Sequence, residues 1–144
     1  MTSLRCHVRK YKDFLDYCER LIGKPIYDFD KDPDKPFINA AQFKKIVSLL
    51  RTKKNIILEG APGVGKTFLA RKIAYQLIGE LKDENIEMVQ FHQSYSYEDF
   101  VQGIRPSEEG GFERKNGIFF DFCSKARRSP DQQFVFIIDE INRG

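Results

Sequence analysis

Residues 60–67 read GAPGVGKT, and this stretch decides the fold of the 144-residue chain. It matches the pattern G-x-x-x-x-G-K-[ST], in which glycines let successive backbone N–H groups turn toward one anion. The apolar run over residues 55–59 predicts a buried strand before the loop. Apolar residues at helical spacing predict a helix after it, namely Leu69, Ala70, Ile73, Ala74 and Leu77. The order strand, glycine-rich turn, helix therefore predicts a phosphate-binding loop at a helix N-terminus.

The residues of this loop have separate predicted roles. Lys66 is expected to reach the β- and γ-phosphates of a nucleotide, and the Thr67 hydroxyl is expected to ligate Mg²⁺. The alternative is a glycine-rich helix entry that binds nothing, which the strand and helix patterns on either side disfavour. The predicted nucleotide-binding residues are Gly60, Ala61, Pro62, Gly63, Val64, Gly65, Lys66, Thr67 and Phe68.

A second apolar run, residues 134–138, ends in the acidic pair Asp139 and Glu140. A run this apolar is typical of a strand buried on both faces, as in parallel sheets. Ligands of open α/β sheets bind outside the carboxyl ends of strands, so the two acids are predicted to lie near the phosphates. We assign Asp139 to Mg²⁺ and Glu140 to deprotonation of an attacking water, with Lys66 as the second catalytic residue. The alternative is an ordinary strand that ends in a solvated turn.

Bulk composition limits the class of protein. Hydrophobic residues make up 41% of the chain and charged residues 31%, which is typical of a soluble globular domain. No apolar run approaches the length of a membrane span, so we expect no membrane association and a cytoplasmic location. The cysteines and histidines are too scattered to suggest a disulfide framework or a metal cluster: Cys6, Cys18, Cys123, His7 and His92.

The net charge of +3 is unevenly distributed. Residues 1–54 hold 13 Lys or Arg against 7 Asp or Glu, a balance of +6, whereas the remainder holds 11 against 14, a balance of −3. A basic first third is compatible with contact to nucleic acid. Because its cations are interleaved with acids, a solvated helical surface is the favoured interpretation.

The pattern before the loop predicts two units, residues 1–38 and residues 39–144. Apolar spacing predicts an amphipathic helix over residues 10–22. The charged segment 28–36 contains two prolines and is predicted to be a linker. A second amphipathic helix follows, with one apolar face made of Phe43, Ile46, Val47 and Leu50.

The pattern after the loop alternates strands and helices. It predicts a strand over residues 86–91, a short helix started by the capping-box pair Ser96 and Asp99, and a helix from Ile118 to Ala126. Residues 104–106 and 112–114 are predicted to pair as a hairpin. The alternation predicts an α/β fold, a three-layer α/β/α sandwich with a mostly parallel sheet.

With both nucleotide motifs established, residues 39–144 resemble the AAA+ family of P-loop NTPases. More closely, they are similar to the motor subunit of McrBC-type restriction systems, which cut DNA carrying modified cytosine. The resemblance rests on the loop at 60–67, on FHQSYSYEDF at 91–100 with GIRP at 103–106, and on IDEINR at 138–143. The middle motif is the most specific of the three.

The resemblance implies GTP rather than ATP as fuel, a hexameric ring, a partner nuclease subunit and indirect action on DNA. It implies that the hairpin is an insertion facing the centre of the ring, where Arg105, Arg114 and Lys115 meet a partner or DNA; a plain polar hairpin surface is the alternative. It also places base contacts partly before the first strand, around residues 37–39.

The resemblance further implies an incomplete domain. AAA+ sheets are ordered 5-1-4-3-2, and the chain stops after the third strand, so the fourth and fifth strands and the helical lid are expected to be missing. The strands that carry Lys66 and Asp139 would then be separated by an open position nearly 10 Å wide. The functional alternatives are a truncated remnant that binds nucleotide or a partner without turnover, an ATP-using AAA+ protein of another role, and a small-molecule kinase.

Overall fold

The computed structural model of the chain describes residues 26–107 and 110–143. These residues form the helices α1 (Ala40–Lys53), α2 (Lys66–Ile78), α3 (Tyr97–Phe100) and α4 (Ile118–Arg128). They form the strands β1 (Ile86–Gln90), β2 (Gln102–Pro106), β3 (Phe112–Asn116) and β4 (Val135–Asp139), with 3-10 turns at Asp83–Asn85 and Ile141–Arg143. The helix predicted over residues 10–22 lies outside the described residues, as do Cys6, Cys18 and His7.

The strands form two pairs. β1 and β4 are parallel, with Ile86 opposite Val135 and Gln90 opposite Asp139, so the parallel pairing predicted from the sequence is confirmed. β2 and β3 are antiparallel, with Ile104 opposite Arg114 and Arg105 opposite Glu113, so the predicted hairpin is confirmed as well.

Helices lie on both faces of the parallel pair. On β4 the Phe136 ring contacts the α4 rings of Phe119 and Phe122, each with centroids 5.1 Å apart. Asp139 instead bonds Thr67 at the start of α2. Residues three apart on a strand point to opposite faces. The described residues therefore have the α/β/α layering predicted from the sequence, built on a small parallel sheet.

Two predictions about strands are wrong. Residues 55–59 lie in neither sheet, and the Ile57 side chain is 74% exposed. A strand needs a neighbour to pair with its N–H and C=O groups, and β1 and β4 pair with each other instead of with this segment. β4 is also less buried than its composition predicts, with Ile137 buried and the residues on either side only half-buried, because the described sheet covers one of its two edges.

α1 packs through the apolar face that the sequence predicts, and its start is set by a cap that the sequence analysis did not predict. Asn39 caps it through a capping box, in which the Gln42 N–H donates to Asn39 Oδ1 at 2.8 Å. Phe43 and Val47 on its apolar face are buried against Ile73 of α2. These residues form the main core together with Tyr27 and Phe29.

The segment before α1 is packed, whereas the sequence predicted a linker. Tyr27 and Phe29 are 4% and 5% exposed, and the Phe29 ring stacks on Phe43 with centroids 4.3 Å apart. Apolar residues alternate with aspartates in this segment, so one set of side chains is buried although the segment is rich in charged residues. Where the unit boundary lies in the whole protein stays a prediction.

Candidate functional site

The loop at residues 60–65 has the backbone that an anion site requires. Gly63 and Gly65 have φ values of +79° and +81°, a region that L side chains rarely adopt. Gly65 is also the N-cap of α2, so the free N–H groups of the first helical turn face the loop. Together with the positive end of the helix dipole, this backbone favours a bound anion.

Lys66 folds back over the loop. Its Nζ donates to the carbonyl oxygens of Gly60 at 2.9 Å and Ala61 at 2.8 Å. Neutral carbonyls are weaker acceptors for an ammonium group than phosphate oxygens are. The lysine is therefore positioned at the loop and can exchange these two bonds for phosphate contacts.

Thr67 and Asp139 are brought together although 72 residues separate them in the chain. The Thr67 hydroxyl donates to Asp139 Oδ2 at 2.8 Å, and the Glu140 N–H donates to Asp139 Oδ1 at 3.0 Å. A hydroxyl and a carboxylate are the hard oxygen ligands that Mg²⁺ prefers. Within residues 26–107 and 110–143, no group of three or more His, Cys, Asp or Glu side chains could hold a metal. The donor set fits Mg²⁺, which usually keeps several water and phosphate ligands.

Glu140 lies directly after the last residue of β4, in a left-handed backbone with φ +52°. This conformation turns the chain at the sheet edge and starts the 3-10 turn over Ile141–Arg143. Glu140 Oε2 lies 3.1 Å from Arg143 Nε, an ion pair that the sequence analysis missed. The spacing of three residues within IDEINR was the available signal, since such a turn brings these positions together.

The stretch at 91–100 surrounds the carboxyl end of β1. The Phe91 N–H donates to the Asp139 carbonyl at 2.9 Å, which continues the parallel ladder past the last paired strand residues. The Phe91 ring stacks on Tyr95, and Phe100 stacks on Phe119 of α4 with centroids 5.0 Å apart. The aromatic residues of this motif therefore pack around the edge of the sheet at which Asp139 and Glu140 lie.

The capping box predicted for α3 is present. The Asp99 N–H donates to Ser96 Oγ at 3.2 Å, and the hydrogen bond from the Ser96 hydroxyl lowers the pKa of Asp99. The Arg105 guanidinium of the hairpin also bonds Asp99. Arg105 is thus engaged within the chain, whereas Arg114 and Lys115 lie on the exposed strand β3.

A buried ion pair below the loop was also missed. Lys72 Nζ lies 2.7 Å from Asp32 Oδ2, and the two side chains are 12% and 8% exposed. The same ammonium lies 5.0 Å from the ring centroid of Phe68, a predicted nucleotide-binding residue. Burial by itself raises the pKa of the Asp32 carboxyl, but the hydrogen bond from Lys72 and others outweigh it, and the pKa is lowered.

Comparisons with known proteins found two matches. The AAA domain of the dynein-related subfamily matches residues 55–144. The chain is also similar to the type IV methyl-directed restriction enzyme EcoKMcrB subunit of Escherichia coli (strain K12), with 57% identity over 107 residues. That match covers 74% of this chain and 23% of the relative, so the chain spans about a quarter of the length of the curated relative it matches. Among the described residues, no helix is long and apolar enough to cross a membrane.

Proposed function

We propose, from the premise that this chain belongs to the AAA domain family (dynein-related subfamily), that it is a nucleotide-hydrolysing motor module of a DNA restriction system. The hydrogen bond from Thr67 to Asp139 carries the proposal, because it joins the phosphate loop to the acidic strand end at one place. Membership of this family supports P-loop NTPase chemistry, and the similarity to the EcoKMcrB subunit supports a restriction system. GTP as the preferred fuel over ATP, a hexameric ring, a nuclease partner, indirect DNA action and a cytoplasmic location belong to the same proposal.

The proposed mechanism assigns each residue one step. The backbone N–H groups of the loop and Lys66 Nζ bind the phosphates and neutralise their charge. Thr67 and Asp139 would hold Mg²⁺, which when bound supplies further charge neutralisation to the phosphates. Glu140 orients a water molecule in line with the terminal phosphate and accepts its proton. In the structure one oxygen of this carboxylate, Oε2, is paired with Arg143 Nε at 3.1 Å.

Binding of fluorescent GTP and ATP analogues to the chain, with and without Mg²⁺, tests the site. Lys66→Ala removes the ammonium group that is proposed to contact the phosphates, so we expect affinity to fall at least tenfold, since a hydrogen bond to a charged group contributes about 1.5–3 kcal/mol. Lys45→Ala serves as the matched control, because Lys45 is exposed on α1, outside the loop. Equal affinity of the Lys66→Ala variant and the unmodified chain would refute the proposed site.

Measuring the rate of nucleotide hydrolysis distinguishes a motor from a remnant that only binds nucleotide. Glu140→Gln should leave nucleotide affinity unchanged and reduce turnover by roughly 10²–10⁴-fold. The binding-only alternative requires that the chain bind nucleotide without hydrolysing it. Phosphate release by the unmodified chain and by the Glu140→Gln variant, measured side by side, decides between the two.

A further inference from the structure

The first helix is strongly basic. Helix α1 and its C-cap carry five cations and no acid: Lys44, Lys45, Arg51, Lys53 and Lys54. Cations in the last helical turn are favoured by the helix dipole, which accounts for Arg51 and Lys53. Lys44 lies in the second turn, where the dipole gives no such advantage. Pairs of opposite charge at a spacing of four residues do not occur within α1, so its cations are not neutralised along the helix.

Two of these cations line a groove between α1 and α2. The groove, called here the basic groove, has a volume of about 280 Å³ and is lined by Lys44, Val47, Ser48, Arg51 and Gln76. Lys44, Ser48 and Arg51 recur at i, i+4 and i+7, so they form one stripe along the helix. At about 1.5 Å per residue, Lys44 and Arg51 are about 10.5 Å apart along the helix axis.

Within the described residues, neither Lys44 nor Arg51 forms a strong ion pair with an acidic side chain. Lys44 Nζ lies 3.9 Å from Asp30 Oδ2, and both side chains are mostly exposed, at 72% and 62%. Exposed pairs of this kind contribute little. Within the part of the chain that the structure describes, Arg51 forms no ion pair. The groove therefore presents two cations with hydrogen-bonding capacity to spare.

We propose that the basic groove binds the phosphate backbone of a nucleic acid. Lysine, arginine, serine and glutamine are the side chains that contact nucleic-acid phosphates. One duplex strand carries a phosphate about every 3.4 Å of helix axis, so the distance from Lys44 to Arg51 spans about three nucleotides. Nucleic acid is favoured over an acidic protein as the occupant, because the core of a protein interface is depleted of charged residues and more apolar than its rim. Val47, the apolar residue of the lining, is 6% exposed.

Anisotropy of a labelled DNA duplex of about 20 base pairs, measured with the chain between about 50 and 200 mM salt, tests this groove. EDTA is present and nucleotide is omitted, so the result is independent of the proposed NTPase site. The double variant Lys44→Gln, Arg51→Gln should reduce the slope of log K against log salt by about 2, since each phosphate contact contributes about 0.9. The matched control is Lys45→Gln, Lys53→Gln, which removes the same charge from the same helix outside the groove.

The expected result is a reduced slope and an affinity at least tenfold weaker for the groove variant, with a slope within about 0.5 of the unmodified chain for the control. Both variants should unfold at the same temperature as the unmodified chain. Equal losses in the two variants would overturn the proposal, since diffuse charge would then explain binding. Two further results would also overturn it: no DNA binding at the lowest salt, and tighter binding of poly-glutamate than of DNA. The variant Lys66→Ala should keep full DNA affinity, so failure of the groove and failure of the nucleotide site are distinguishable.

Discussion

Replacing Lys72 by Met tests the buried ion pair that ties the segment before α1 to the phosphate-loop helix. At the observed 2.7 Å, and with an effective dielectric constant of about 20, the attraction is about 6 kcal/mol, largely offset by the desolvation of both ions. Loss of one partner leaves the Asp32 carboxylate buried without its cation, which typically costs about 3–5 kcal/mol. We expect about 3 kcal/mol, the lower end of that range, because both residues are only half-buried overall and the Asp34 N–H still donates to Asp32.

Urea unfolding followed by circular dichroism measures this loss. Lys31→Met is the matched control, because Lys31 pairs with Asp28 at 3.4 Å with side chains 86% and 43% exposed, and an exposed pair of this kind contributes little to stability. Equal effects of the two variants, or a loss below about 1 kcal/mol for Lys72→Met, would refute the reasoning. Adding Asp32→Leu to Lys72→Met should recover most of the lost stability, since an apolar pair replaces an ion pair well.

The same pair gives a pH dependence with a definite sign. The pKa of Asp32 is lower in the folded protein than its usual value of 3.8. Its contribution to stability is therefore fully present above pH 3.8 and is lost as the pH falls through the folded pKa. The gap in unfolding free energy between the unmodified chain and Lys72→Met should accordingly narrow below pH 3.8. A gap that stays constant from pH 7 into this range would contradict the assignment of the pair.

Two further predictions concern local backbone features. Asn39→Ala removes the bond that the Asn39 side chain accepts from the Gln42 N–H and should lower the free energy of unfolding by about 1 kcal/mol, whereas Asn39→Asp should be close to neutral in the same urea assay. Gly65→Ala forces an L side chain into φ +81° and should cost about 1–2 kcal/mol and weaken nucleotide binding. Gly79→Ala is the control, because Gly79 caps the other end of α2 at φ +84°. It should lower the free energy of unfolding by the same amount and leave nucleotide affinity unchanged. If Gly79→Ala weakened nucleotide binding as much as Gly65→Ala does, backbone strain alone would explain the loss of affinity.

Local features of this protein are predictable from the sequence, because they depend on residues close in the chain. The glycine-rich loop, the capping box at Ser96, the hairpin, the helix that carries Phe43 to Leu50 and the helix from Ile118 to Ala126 were all predicted in this way. A parallel sheet followed from the α/β alternation, whereas the pairing of residues 86–90 with 135–139 was implied only by the strand order of the AAA+ family that the chain resembles.

Long-range contacts were decided by the tertiary structure. The sequence predicted a buried strand at 55–59, but the described strands pair with one another and leave this segment outside both sheets. The sequence also predicted a linker at 28–36, but the buried rings of Tyr27 and Phe29 pack this part of the chain against the core. Neither the contact of Thr67 with Asp139 nor the Lys72 pair with Asp32 has a fixed spacing that could reveal its geometry, since chain folding alone brings such distant side chains together. Composition and spacing determined which groups are predicted to bind phosphate and metal, whereas packing determined which of them meet, because solvation and pairing act in space and not along the chain.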